Sequence, residues 1–221
     1  MRSIPSELTR KLVKAYWRRV EHKRGPIMEK NMTPGEPLIH QDDLPENVYI
    51  ILNGSLKIHH NTPKGTEYLV AIGGPGEIIG EIEALTGEAY ACAATAIRES
   101  TVGVIPKGAY AQWLDEEHDF ALLINHAMSY RLQKVVKRSA TNLSYPLEYS
   151  VLKLFEMLAE DEGSLRLAVT KEDLANYLGT NTRSINRILR DLQEKNVLLP
   201  SRHIEVVSME QLERAMRAYD D

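Results

Sequence analysis

Residues Thr170 to Leu192 read T-K-E-D-L-A-N-Y-L-G-T-N-T-R-S-I-N-R-I-L-R-D-L, and the rest of the chain is organised around them. Leu174, Ala175 and Leu178 form one apolar face of a short helix. Thr170 and, three residues on, Asp173 supply the hydroxyl and carboxylate that cap free amides at a helix start. Gly179 offers the left-handed corner that ends such a helix. After the Gly179-Thr180-Asn181 turn, Ile185, Ile188, Leu189 and Leu192 recur at helical spacing, so a second amphipathic helix begins. Two short helices joined by a glycine-containing turn make a helix-turn-helix pattern. Thr182, Arg183, Asn186, Arg187 and Arg190 fall opposite the second apolar stripe, and the arginine line carries no acid. Arg and Asn can each bond two edge atoms of guanine or adenine, and the start of the second helix is where such side chains reach bases. The stretch therefore predicts a reader of double-stranded DNA; a solvated helix in an all-helical domain is the alternative.

A length of 221 residues allows two domains. The net charge is −4, and from Ser144 onward 10 Lys/Arg stand against 14 Asp/Glu. DNA binding must then depend on a local basic stripe rather than a bulk field, and should be steeply salt-sensitive. No run of about 18 apolar residues is present, so no membrane span is expected. The opening M-R-S-I-P-S-E-L-T-R lacks an apolar leader core, which predicts a cytoplasmic protein. Cys92 is the only cysteine, which excludes an internal disulfide, an iron–sulfur cluster held by this chain's cysteines and a cysteine-based zinc site.

Upstream, Leu8, Leu12 and Tyr16 mark a helix over Pro5 to Trp17. From Gly25 the pattern shifts to short apolar runs at Leu38-Ile39, Val48–Leu52, Leu56–Ile58, Tyr68–Ile72, Glu77–Ile79, Ala91–Ala96 and Val102–Ile105. T-P-G-E, Q-D-D-L-P, N-G, N-T-P-K-G and G-G-P-G separate them, so the region reads as a β-sandwich or barrel, with Asn53-Gly54 as a tight-hairpin signal. Pro106 starts a short helix carrying Tyr110, Trp113 and Leu114. A longer helix spans about Asp119 to Asn142; its stripe from Phe120 to Val136 needs a partner helix or the β-region, and Lys134, Lys137 and Arg138 suit its C-terminal end. Ser144-Tyr145-Pro146 is the linker, and Leu147 to Ala159 a further helix that Asp161-Glu162-Gly163 ends. Val197–Leu199 and Ile204–Val206 flank Pro200–His203 as a small hairpin, a wing whose Arg202 and His203 can touch phosphate. Ser208 and Gln211 cap a closing helix through Tyr219.

This order of parts resembles the Crp/Fnr family of bacterial transcription regulators. The likeness rests on P-G-E at Pro34–Glu36, V-Y-I-I-L-N-G-S-L-K-I at Val48–Ile58, G-P-G-E-I-I-G-E at Gly74–Glu81, Y-R-L-Q at Tyr130–Gln133 and the helix-turn-helix. Within the family, I-G-E-I-E, S-Y-P-L and Y-L-G-x-x-x-R look most similar to the YeiL-type regulators. The resemblance implies an α+β chain: an N-terminal double-stranded β-helix (a jelly-roll, cyclic-nucleotide-binding-like domain) over 1–115, a long dimerisation helix over 116–143 and a winged helix-turn-helix over 144–221. It further implies a homodimer on a near-palindromic site and an outcome at RNA polymerase. Many family members carry Glu where Arg183 stands; Glu accepts from cytosine, whereas Arg donates to guanine.

Cyclic-nucleotide readers in the family place a Glu on the ribose and an Arg-Ser pair on the phosphate. Glu81 after Gly80 fits the first role, but Tyr90-Ala91 stand where the pair would be, and Val135-Val136 where the base is met. No Arg lies between Gly80 and Ile97, so a phosphate would be buried without a counter-charge, and cyclic AMP is not the expected effector. Gly80, Glu81, Tyr90, Ala91, Cys92 and Val135 line the place an unknown small molecule would take, with no cofactor expected. Three alternatives are a haem regulator using one of His40, His59, His60, His118 or His126, a redox switch at Cys92, and a cupin-like metal enzyme. The last fails on the adjacent His59-His60 pair, which points to opposite faces of a strand. No nucleophile or phosphate-loop motif is visible, so no enzyme is expected.

Overall fold

The computed structural model describes residues 4–22, 26–63, 67–167 and 169–219, with side chains 161 and 162 excepted. The expected turn at Asn61–Gly65 therefore lies partly outside the described residues. The chain divides into two compact units, one of Arg2–Gly65 with Val70–Lys134 and one of Thr66–Leu69 with Val135–Asp221.

The first unit begins with α1 (Ser6–Glu21) and holds two four-stranded sheets. One sheet has the order β1 (Met28–Met32), β8 (Ser100–Pro106), β3 (Asn47–Asn53), β6 (Ile78–Ile79). The other has β2 (Pro37–Ile39), β7 (Ala93–Ala96), β4 (Leu56–Asn61), β5 (Glu67–Gly73). The register puts Tyr49 between Ile79 and Val104, antiparallel to both. Alternation along β3 explains the layers. Val48 and Ile50 pack with α1, α3 (Lys107–Glu116) and the start of α4 (His118–Ser144), whereas Ile51 faces the core between the sheets. Gly103 is required here: a Cβ would stand 2.4 Å from the Tyr16 ring that lies across β8.

Two elements of the first unit escaped the sequence patterns. Strand β1 buries only Met32, so it has no alternation to read, and the six-residue α2 (Glu81–Thr86) is too short to show a period. The Asn53-Gly54 signal marks a real turn, with φ of 86° at Gly54, but β3 and β4 lie in different sheets. The turn crosses between layers instead of closing a ladder. A Cβ on Gly54 would fall 2.4 Å from the Glu99 carbonyl oxygen, so glycine is needed at that crossing.

Helix α4 docks only the first half of its apolar stripe on the β-domain. Phe120, Ile124 and Ala127 are buried with the β-domain, Phe120 stacked 3.7 Å from Trp113. Farther along, Leu132, Val136 and Leu143 are 65, 58 and 88% exposed. The helix runs to Ser144 with no basic residue in its last turn, so Lys134, Lys137 and Arg138 do not serve its C-terminal dipole. Arg138 instead lies 3.7 Å over the Tyr177 ring.

The second unit continues with α5 (Leu147–Glu162), β9 (Arg166–Leu167), α6 (Lys171–Leu178), α7 (Thr182–Glu194), β10 (Ile204–Glu205) and α8 (Met209–Arg217). Its core joins Leu152 and Phe155 of α5, Leu174 of α6, Ile185 and Leu192 of α7, and Leu212 of α8. The wing is present, with Leu199 N–H on the Glu205 carbonyl at 2.9 Å and Val207 N–H on Val197 at 3.0 Å. The sequence did not show that β10 also pairs with β9. Ser208 caps α8 as read, though the helix stops at Arg217 and not at Tyr219.

Candidate nucleic-acid interface and effector pocket

The helix pair at Thr170 forms as its caps dictate. Thr170 Oγ1 accepts from the Asp173 amide at 3.0 Å while the Asp173 carboxylate accepts from the Thr170 amide at 3.1 Å, a complete capping box. Gly179 takes φ of 64° after α6. Asn181 then caps α7 through the Ser184 amide at 2.9 Å. Burying Ile185, Ile188, Leu189 and Leu192 fixes the rotation of α7, so Thr182, Arg183, Asn186, Arg187 and Arg190 are all exposed. Among the described residues, no hydrogen bond or ion pair engages the guanidinium of Arg183, Arg187, Arg190 or Arg202.

Part of this face is concave. A groove of about 450 Å³ runs between α7 and the wing and is lined by Lys171, Asn186, Arg190, Gln193, Arg202 and His203, among others. Of its charged lining residues three are Lys or Arg and one, Glu205, is an acid. The groove draws in Lys171, Gln193 and Ser201, which sequence reading did not single out; Lys171 opens α6 and meets the wing only through folding. Arg183 and Arg187 lie on the exposed face outside the groove lining, toward the start of α7. Backbone-sized anions suit the groove, and planar donor forks at a helix start suit base edges.

The pocket residues of the first unit gather at α2. Gly80 is its left-handed N-cap with φ of 82°, and Glu81 is 1% exposed. No Arg lies between Gly80 and Ile97, yet Glu81 has a cationic partner from farther along the chain. Arg131 of α4, 50 residues away in sequence, donates through Nη1 to the Glu81 carboxylate and through Nη2 to the Ile78 carbonyl at 2.6 Å. Its Nη2 also lies 3.9 Å from the buried Glu77 carboxylate. Burial pushes the Glu81 carboxyl upward and Arg131 pulls it back; burial is the larger effect, as expected for a desolvated pair.

Tyr90 does not leave an opening. Its hydroxyl donates to the Asn47 carbonyl at 2.8 Å, and its ring lies 3.0 Å from where a Cβ on Gly80 would stand. Burial raises its phenol to about 12. Ala91 is exposed, with its amide on Glu83 Oε1 at 3.3 Å. Burial and the Glu83 carboxylate push the Cys92 thiol to about 11, the opposite of what a reactive thiolate needs. Val135 falls in the other unit and is 52% exposed, so it is not among the residues gathered at α2. Of the histidines considered, His59 has both ring nitrogens near partners, Asn61 and Thr95, each at 3.2 Å, and His60 contacts the Ala91 carbonyl.

A two-sheet β-roll and a winged helix-turn-helix with a free arginine face define a DNA-binding regulator with a sensor-type domain. Residues 29–117 match the cyclic nucleotide-binding domain model and residues 151–215 the Crp-like helix-turn-helix domain. The chain belongs to the Crp/Fnr family of transcription regulators. It is 23% identical over 191 residues to a CRP-like cAMP-activated global transcriptional regulator of Mycobacterium tuberculosis, covering 83% of this chain and 85% of that one. It is 25% identical over 193 residues to the nitrogen fixation regulation protein FixK of Rhizobium meliloti, covering 85% and 87%. A crystal structure of a putative Crp/Fnr regulator from Eubacterium rectale shares the fold, with a TM-score of 0.72, 18% identity and coverage of 97% and 95%. The protein is thus a helix-turn-helix transcription regulator, and its relatives of matching length are regulators and not enzymes. A partial likeness to a lysophospholipase of Emericella nidulans spans only 7% of that enzyme.

Proposed function

We propose that two copies of the chain bind a near-palindromic DNA site through α7, with no response to cyclic AMP. The observation that carries the reading is the row of unpaired guanidinium groups on an exposed, doubly capped helix. In this reading Arg183 and Arg187 meet guanine edges, and Thr182 and Asn186 make the neighbouring base contacts. Lys171, Arg190 and Arg202 hold phosphates along the groove. The exposed stripe on the far half of α4 is covered by the same helix of a second copy, which sets two α7 helices about one DNA turn apart. RNA polymerase is the downstream partner. The cytoplasm is the compartment; among the described residues no helix is long and apolar enough to cross a membrane.

The refusal of cyclic AMP rests on charge. Arg131 is committed to Glu81 and the Ile78 carbonyl, and Tyr90 and Ala91 bring no cation, so a cyclic phosphate would be buried without a counter-charge. Selection from random duplexes, followed by fluorescence anisotropy on the winners, tests the proposal. Enrichment of palindromes by a sedimenting dimer is the expected result. Enrichment of unrelated sequences, or a monomer on the selected site, would remove it.

A further inference from the structure

We propose that Arg138 is a positioning residue that fastens the helix-turn-helix to α4 and so fixes the spacing of the two half-sites that the dimer accepts. This rests on the reading of α7 as the DNA reader of a dimer and deepens it.

The path of the chain sets the need. It leaves α4 at Ser144 and enters α5 across Tyr145-Pro146, one covalent link about which the following helices could swivel. Two recognition helices read a palindrome only when they stand a set distance apart. A swivelling pair would accept half-sites at several separations, so a defined spacing requires a second attachment.

Arg138 supplies one. Between Leu132 and Ala140 every residue but Arg138 is exposed. Its guanidinium lies 3.7 Å from the centre of the Tyr177 ring and 4.6 Å from that of Tyr68, at the start of β5, all within the second unit. Its Nη2 donates to the Tyr177 carbonyl and, at 3.1 Å, to the Leu69 carbonyl. Tyr177 belongs to the last turn of α6, where carbonyls lack helical partners and a cation is favoured, and α6 has no basic residue of its own there. The grip extends to the corner between the helices. A Cβ on Gly179 would stand 3.5 Å from the Tyr68 ring, so that ring packs on the turn from α6 to α7. Leu174 and Ala175 of α6 share a core with Ile185 and Leu189 of α7, so holding α6 also holds α7. Arg138 does this without covering the exposed stripe of α4. It lies two residues beyond Val136, about 200° round a helix. Val136 and Leu143 thus stay exposed for a second copy while the other side of α4 grips α6.

The test uses the full-length protein on its selected palindrome and on duplexes with one base pair added or removed at the centre. Each change shifts the half-sites by about 3.4 Å and turns them by about 34°. Wild type should lose at least about tenfold in affinity on both, since a rigid dimer must deform a mis-spaced duplex. Arg138→Met and Tyr68→Ala should each bind the three spacings within about threefold of one another, as loosely joined modules do. Both should sediment as dimers and keep the wild-type preference among single-base variants of the half-site. Tyr68→Phe retains the ring and should discriminate as wild type does. A generally damaged fold would not erase spacing preference while sparing base preference. If Arg138→Met does not fold, the contrast of Tyr68→Ala with Tyr68→Phe still decides the matter. Wild-type discrimination kept by Arg138→Met, or by Tyr68→Ala where only that variant folds, overturns the proposal. So does a wild type that accepts all three spacings alike, or a base preference lost together with the spacing preference. A wild type that selects no palindrome instead removes the dimeric reading itself.

Discussion

The α2 cluster and the exposed face of α7 use the same chemistry to opposite ends. In the first, Arg131 is one-fifth exposed and its terminal nitrogens are committed to Glu81 and Ile78. In the second, Arg183, Arg187 and Arg190 are exposed and engage no partner among the described residues. A half-buried guanidinium whose terminal nitrogens are bonded is part of the architecture; an exposed one with none bonded is an offer to another molecule. What separates Arg131 from the arginines of α7 is therefore the state of the donors and not the charge.

The sharpest break between the two comes from stability. Arg131→Met should cost about 3–5 kcal/mol in denaturant unfolding, since it leaves Glu81 buried without a partner. Arg187→Met should stay within about 0.5 kcal/mol, as expected for a surface change. Equal losses at the two sites would erase the distinction. DNA affinity should reverse the ranking's meaning. Arg183→Ala should lose about 1–3 kcal/mol of binding and relax preference at one position of the half-site, measured on a panel of single-base variants. A loss that is uniform over the panel would move Arg183 to the phosphates.

Smaller effects sharpen the same contrast. Asn181→Ala removes the cap on the Ser184 amide and should lower stability by about 1 kcal/mol in thermal unfolding. Lys171→Ala should reduce the slope of log affinity against log salt by about one while leaving base preference intact. The least perturbing probe is Cys92. With its thiol pushed up to about 11, the thiolate is scarce at neutral pH and grows as pH rises toward that value. Alkylation should be slower than for a free thiol and accelerate through the alkaline range, whereas fast labelling at neutral pH would revive a redox role.

The helix-turn-helix was legible because its information is local. The capping box at Thr170, the left-handed Gly179 and the stripe from Ile185 to Leu192 all act within a few residues, and each appears where its chemistry requires. The β-roll was legible as turns and runs but not as pairing. Nothing near Asn53-Gly54 tells that β3 and β4 part into different sheets, and β1 lacks the alternation that would announce it. Lys171 and Ser201 joined the groove only when the wing folded against α7.

Sequence by itself determined the order of most elements, the helix-turn-helix and the face that α7 exposes, because helical and turn propensities are set by neighbours. The tertiary structure alone decided that Glu81 has a partner. Arg131 stands 50 positions downstream, and only the docking of α4 on the β-domain brings the two charges together and shields them from water.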